Sequence, residues 1–415
     1  MDFRAGLRPG AFFVILGTHH YRVNGLKMNE YVPGLEGVPA TKSNISFIDG
    51  EKGILAYRGY SIEQLAEYST FEETALLLLD GRLPSAAELT LFDQQLRRSR
   101  RVKYNIGSIM KSLPATGHPM EMLQTAVASL GMFYPGTEQL TGPNAAQNLE
   151  YIHRMSVRII ARMATLVAMW EHIRHGYDPI APRTDLTYAQ NFLYMMHGTE
   201  PDPFIAKILD TCLILHAEHT INASTFAALV AGSTLATPSA VVASAVGTLF
   251  GPLHGGANQR VVEMLHEVGS PENARSWIDK QLAAKAKIWG MGHREYKVKD
   301  PRAIILQRLV EKLVDYRGGK MSRVFETALA LEEAAEARLA EKGVYANVDY
   351  YSGILYAEMG FPPDQFTSIF AVARSAGWLA HWREQLRYNR IFRPTQVYTG
   401  EALRPYVAID LREEM

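Results

Sequence analysis

A single cysteine, Cys212, stands in 415 residues, which excludes an intramolecular disulfide framework and a cysteine-rich zinc site. A reducing compartment suits such a chain, and a cytoplasmic location is expected. No apolar run approaches the roughly eighteen residues of a membrane-spanning helix. Residues 11–16 are apolar and come after Arg4 and Arg8, but they are too short for a signal-peptide core, and no small-residue cleavage site comes after them. Neither sign of charge is in excess, with Lys plus Arg at 43 and Asp plus Glu at 43. No overall positive field therefore draws nucleic acid or an anionic membrane, and any affinity for anions has to come from local Arg and Lys. Strand-like alternation is almost absent, and there is neither an internal repeat nor a low-complexity linker.

What is present is helical period in a composition that is 47% hydrophobic and 21% charged, ordinary for a water-soluble chain. The length exceeds one simple core, so two domains are expected. Between positions 44 and 58 two short apolar runs flank a glycine-bearing turn, the pattern of a small β-hairpin. Ser61 with Gln64 reads as a capped helix start, and Thr70 begins another helix running to Asp80-Gly81. Further helices are expected over 152–175, 203–232, 239–250, 258–268, 271–287, 301–316, 321–342, 348–359 and 364–387, close to twenty in all. The expected fold is therefore all-α, in two multi-helical domains with one small N-terminal hairpin. Helices up to Phe250 are Ala-rich and read as interior, whereas those from 259 to 342 are amphipathic and charged. That shift suggests a smaller mobile domain over 256–360, inserted between the parts 28–255 and 361–415 of a larger one, with glycines at both junctions suited to a hinge. Residues 1–27 share no period with the rest of the chain and read as a loose tail or a misassigned start, since Met28 resembles a genuine one.

Three irregular segments carry residues that a core does not need. Gly251-Pro252-Leu253-His254-Gly255-Gly256 holds one histidine, and Gly290-Met291-Gly292-His293-Arg294-Glu295-Tyr296-Lys297 holds another. Asn347-Val348-Asp349-Tyr350-Tyr351-Ser352-Gly353 holds an aspartate. Glycine there permits close approach at an entropic cost that packing alone rarely justifies. Two imidazoles and a carboxylate in such settings suggest proton transfer.

These segments, with Asp300-Pro301-Arg302, the run ending at Arg374, Gly377-Trp378-Leu379-Ala380-His381-Trp382 and Arg390-Ile391-Phe392-Arg393-Pro394, resemble the citrate synthase family from about Met28 onward. The resemblance implies an all-α homodimer that condenses acetyl-CoA with oxaloacetate at the entry to the tricarboxylic acid cycle, with His254, His293 and Asp349 catalytic. It implies that Arg302, Arg374 and His219 hold oxaloacetate, and that Arg393 reaches the partner's active site. Lys285, Gly290, Met291, Gly292, Arg294 and Lys297 are expected around CoA. No cofactor and no metal are implied. The extra N-terminal region of larger hexameric members is not seen, so a dimer insensitive to NADH is expected.

The residue types also make chemical sense without the resemblance. Joining a thioester methyl to a ketone means removing a very weakly acidic proton, and a carboxylate at its ordinary pKa of about 3.9 is too weak a base. Asp349 needs burial, and the thioester oxygen needs a hydrogen-bond donor, a role suited to His254. His293 would polarise the ketone, and guanidinium forks suit a dicarboxylate. Plainer readings exist for each residue. Asp349 could cap the helix beginning near Tyr350, Arg374 could be one half of a buried ion pair, and His216 with His219 could hold a metal. Cys212 could pair with His216 as a thiolase-like dyad. Among functions, 2-methylcitrate synthesis from propionyl-CoA, an inactive helical scaffold and a His-based metallohydrolase are the alternatives.

Overall fold

The computed structural model describes residues 31–133 and 148–412, so the expectation for residues 1–27 lies outside the described residues. Residues 43–393 form one compact unit. The described parts of the remainder, 31–42 and 394–412, carry two 3-10 turns, Pro33–Leu35 and Ile409–Leu411, and expose Tyr31, Tyr398, Leu403 and Tyr406.

The compact unit opens with the expected hairpin. Strands β1 (Ser46–Asp49) and β2 (Ile54–Tyr57) pair antiparallel with Ser46 opposite Tyr57, and a two-residue β3 (Tyr60–Ser61) extends the sheet. Sixteen α-helices come after it among the described residues. They are α1 (Ile62–Tyr68), α2 (Phe71–Asp80), α3 (Ala86–Ser99), α4 (Tyr104–Lys111), α5 (Pro119–Phe133), α6 (Leu149–Arg174), α7 (Tyr188–His197) and α8 (Pro203–His216). Then come α9 (Ala223–Ser233), α10 (Pro238–Phe250), α11 (Ala257–Val268), α12 (Ala274–Ala283), α13 (Pro301–Tyr316), α14 (Arg323–Leu339), α15 (Val348–Glu358) and α16 (Phe366–Leu386). The starts obey local chemistry: Ser61 accepts the Gln64 N–H, Thr70 accepts the Glu73 N–H, and α2 ends on left-handed Gly81. Helices α5 and α9 both pack on α10, α16 lies against α2, α6, α8, α9 and α10, and α11 to α15 pack largely among themselves. From Phe366 to Trp382 every residue of α16 is buried, so this apolar helix is the central post of the larger group.

One expected helix is wrong in a telling place. The run 203–232 is two helices, because α8 stops at His216 and α9 starts only after the Asn222 cap. Nothing in Ala217-Glu218-His219 forbids a helix. The break comes from tertiary contacts with α16, and Thr220 takes a left-handed φ of 51° to complete it. His216 and His219 therefore do not share a helical face, contrary to the reading that made them a metal pair.

Candidate active site

Positions 374, 377, 378 and 381 recur at helical spacing, so α16 presents them on one face to the segment 216–224. Arg374 Nε donates to the His216 carbonyl (2.8 Å), and the Gly377 N–H donates to the Ala217 carbonyl (3.2 Å). Trp378 Nε1 donates to Ser224 Oγ (3.1 Å), and His381 Nε2 donates to Glu218 Oε1 (2.9 Å). Four contacts from one helix hold the irregular loop that carries His219. Gly377 is required by close approach: a Cβ there would lie 2.3 Å from Glu218 Oε2 and 2.4 Å from the Ala217 carbonyl oxygen. Gly377→Ala is accordingly expected to cost about 1–3 kcal/mol or more through overpacking, read as a lowered Tm, and an unchanged Tm would contradict the packing described.

The start of α9 orients His254. Ser224 is the second residue of α9, and its backbone N–H donates to His254 Nε2 (3.2 Å), with Ser224 Oγ 2.9 Å from that nitrogen. An amide N–H can only donate, so Nε2 accepts and the ring proton resides on Nδ1. Burial, and after it the charge of Arg374, pulls the His254 pKa down to about 4. The positive end of α9 works in the same direction. At neutral pH His254 is thus an uncharged imidazole with a free N–H donor.

Two other loops are stitched together to bring His293 and Asp349 into the same region. The Gly292 N–H donates to the Tyr345 carbonyl (2.7 Å), the Asn347 N–H to the Gly290 carbonyl (2.9 Å), and Asn347 Nδ2 to the Gly292 carbonyl (2.8 Å). Gly290 has φ 75°, and a Cβ there would lie 2.7 Å from Val261 and 2.9 Å from the Tyr350 ring, so glycine is needed for both shape and space. Asn347 also caps α15, its Oδ1 accepting the Asp349 N–H (3.0 Å). The capping role considered for Asp349 therefore belongs to Asn347, and the Asp349 carboxylate makes no hydrogen bond or ion pair among the described residues. Burial raises its pKa to about 6, against the opposing charges of Arg302 and Arg374.

His293 Nδ1 accepts the Glu295 N–H (3.0 Å), which places its proton on Nε2, and burial with the Arg302 charge lowers its pKa to about 4. The rings of His219 and His293 lie 5.0 Å apart, and Tyr296 stands beside both, its hydroxyl 3.2 Å from His219 Nε2. Burial, then the charges of Arg302 and His293, hold His219 well below the ordinary histidine range. Three neutral imidazoles and a weakly acidic carboxyl thus share the field of two arginines.

Those two arginines differ. Asp300, the cap of α13, accepts from Arg302 Nε (3.0 Å) and Nη2 (2.7 Å) and also from the Val348 N–H (3.2 Å), tying Arg302 to the start of α15. Arg302 is 2% exposed; burial disfavours its charge, but Asp300 more than compensates and the pKa is raised. Arg374 is 1% exposed, and no carboxylate among the described residues lies within 4.0 Å of it. The ion-pair reading for Arg374 thus fails, and burial lowers its pKa to about 10. A desolvated guanidinium without a bound counter-ion is a receptor for an anion.

Not every expected residue converges. Lys285, Arg294 and Lys297 are exposed, with Lys285 at a left-handed φ of 52°, and Lys287 sits 4.1 Å above the Trp289 ring. The Lys297 N–H donates to the Gly50 carbonyl in the hairpin turn (3.0 Å). Met291 is half-buried and forms a bridge with Ala346. Arg393 is exposed beyond α16. Cys212 is buried with its thiol pKa pushed up by burial, and His216 Nδ1 donates to its carbonyl (2.8 Å), so no thiolate–imidazole dyad exists. Sequence reasoning missed Ser224, Tyr296, Asn347, Asp300 as an anchor, and Glu218. The string Asn222-Ala223-Ser224-Thr225 was the available signal for the first of these, since it has the form of a helix start.

The family profile for the citrate synthase C-terminal domain matches residues 34–395. The chain belongs to the citrate synthase family. It is 59% identical to the citrate synthase of Acidithiobacillus ferridurans, covering 92% of this chain and 98% of that one. It is 53% identical to that of Synechocystis, covering 91% and 93%. Its fold is similar to the citrate synthase of Pyrobaculum aerophilum, with a TM-score of 0.87 and 40% identity, covering 91% of this chain and 95% of that one. It is also similar to the citrate synthase of the archaeon Thermoplasma acidophilum, solved as a ternary complex with carboxymethyl coenzyme A and oxaloacetate. That pair has a TM-score of 0.85 and 32% identity, covering 92% and 100%.

Proposed function

We propose that this citrate synthase family member condenses acetyl-CoA with oxaloacetate and hydrolyses the product thioester to citrate and CoA. The carrying observation is one field containing a carboxylate of raised basicity, imidazoles of fixed tautomer and a buried guanidinium with no carboxylate within ion-pair distance. Asp349 takes a proton from the acetyl methyl, and the C–H electron pair becomes the C=C of an enolate whose oxygen accepts a hydrogen bond from His254 Nδ1–H. The enolate carbon then attacks the ketone carbon of oxaloacetate. The ketone oxygen takes up a proton as the new C–C bond forms, with His293 Nε2–H as donor, and the proton held on Asp349 returns to that imidazole through water. Water finally splits the C–S bond, releasing CoA. Holding both reactants in register contributes about 7–11 kcal/mol in favourable cases, and a preorganised donor on the developing oxyanion about 3–4 kcal/mol. No step calls on a metal or a resident cofactor.

Arg302 and Arg374, with His219, bind the oxaloacetate carboxylates, and Arg393 enters from the partner of a homodimer. Gly290, Met291 and Gly292 lie along CoA, with Lys285, Arg294 and Lys297 near its phosphates. Residues 256–360 move as the smaller domain, with Gly360, at φ 82°, beside one hinge. A cytoplasmic setting and a place at the entry of the tricarboxylic acid cycle complete the reading.

A thiol-release assay with oxaloacetate and each of acetyl-CoA and propionyl-CoA tests it. Turnover preferring acetyl-CoA is expected, and a clear preference for propionyl-CoA would make this a 2-methylcitrate synthase; no turnover with either would end the proposal. The pH dependence has a definite sign. Asp349 must be ionised, so kcat/KM climbs as pH rises through about 6 and then levels. The imidazoles titrate near 4 and add no falling limb between 6 and 8. A bell centred near neutrality would contradict this assignment.

A further inference from the structure

Glu218 is completely buried, yet its two carboxylate oxygens are used very unequally. Oε1 accepts from His381 Nε2 (2.9 Å) and from Ser46 Oγ (2.9 Å), and Ser46 Oγ in turn accepts the Thr220 N–H (3.1 Å). Oε2 is buried and has no hydrogen-bond partner among the described residues. The backbone is fixed as well: Tyr57 Oη donates to the Glu218 carbonyl (2.8 Å). A buried carboxylate with one idle oxygen costs free energy unless a positive charge is near. Arg374, on the same face of α16 as the Gly377 that packs on Glu218 and the His381 that bonds it, has the opposite deficit. Its guanidinium is buried without a carboxylate within ion-pair distance.

We infer that Glu218, held by His381 and Ser46, is a positioning residue that balances the charge of Arg374 from behind while leaving the guanidinium free for a substrate carboxylate. This rests on the reading of Arg374 as an oxaloacetate ligand. A carboxylate seated in the Arg374 fork would occupy the place proposed for the substrate. A counter-charge held at one remove stabilises the guanidinium yet leaves the site open. The electrostatics agree, since Glu218 leads the influences that favour the charged form of Arg374 against burial, and His381 first, then Arg374, hold Glu218 ionised despite its burial.

Charge and position can be separated by two variants. Glu218→Gln keeps the shape and the oxygen that Ser46 and His381 bond, but removes the negative charge beside an anion site. Oxaloacetate should then bind about tenfold more tightly, judged from one unit charge removed at short range in a medium of intermediate dielectric. The thermal shift produced by saturating oxaloacetate should also exceed that of the wild type, with the acetyl-CoA KM unchanged. Ser46→Ala keeps the charge but frees Glu218 and the Thr220 amide, so the oxaloacetate KM should rise about threefold, a factor corresponding to less than one neutral hydrogen bond. A purely structural role predicts weaker oxaloacetate binding in both variants, and that outcome overturns the inference. If Glu218→Gln does not fold, Ser46→Ala still tests the inference, and an unchanged oxaloacetate KM there overturns it. A wild type that shows neither turnover nor a thermal shift with oxaloacetate indicts the function instead, so the two failures are distinguishable.

Discussion

Asp349→Asn is expected to lower kcat by about three orders of magnitude while leaving the KM for each substrate within about threefold. A positioned general base contributes typically about 10²–10⁴ in rate, and in the proposed mechanism Asp349 takes the proton that starts the reaction. The change is nearly isosteric, and the wild-type carboxylate makes no hydrogen bond or ion pair among the described residues whose loss would unfold the loop. Asn347, not Asp349, holds the start of α15, so the cap survives. The same burial that makes Asp349 a better base makes its charge unfavourable in the fold, so the amide should leave Tm unchanged or raise it. Single-turnover thiol release with oxaloacetate present, compared with Tm, checks both halves. A variant that keeps a tenth of the wild-type rate would remove Asp349 from the role.

The parts of this site that could be read from sequence are those set by short-range chemistry. The hairpin at 44–58 and the starts at Ser61 and Thr70 arise from turn and capping residues within a few positions of each other. His254 and His293 stood out because glycine marks chain that is not regular structure, whereas Asp349 proves to be the second residue of a helix that Asn347 caps. What escaped was decided by distant contacts. Ala217, Glu218 and His219 suit a helix, and only the face of α16 that bears Arg374, Gly377, Trp378 and His381 pulls them out of it. Glu218 shows why such partners stay hidden: glutamate is ordinarily a surface residue, and nothing near it in the chain announces a buried one. The tautomers of the two histidines were equally invisible, since each is set by a backbone N–H, from Ser224 or Glu295, whose direction exists only in the fold.

Arg374→Leu is expected to raise the oxaloacetate concentration needed for half-saturation on the order of a thousandfold, with a smaller effect on acetyl-CoA. Truncating one member of a buried, hydrogen-bonded charge pair costs about 2–5 kcal/mol, and the substrate carboxylate is the missing member here. Lysine in its place should recover little, because a point charge lacks the planar fork. Arg302→Leu should behave differently. Arg302 already satisfies Asp300, so its loss abandons a fully buried carboxylate that also bonds the Val348 N–H, and folding should weaken by about 3–5 kcal/mol. Losing Arg374 leaves the His216 carbonyl without its donor and removes one positive charge near Glu218, which His381 and Ser46 still hold, a cost of about 1–3 kcal/mol. The expected pattern is therefore a split: Arg374→Leu folds and fails to bind, whereas Arg302→Leu loses both. Oxaloacetate titration by calorimetry alongside thermal unfolding reads the two axes independently, and wild-type oxaloacetate affinity in Arg374→Leu would show that the open guanidinium receives some other anion.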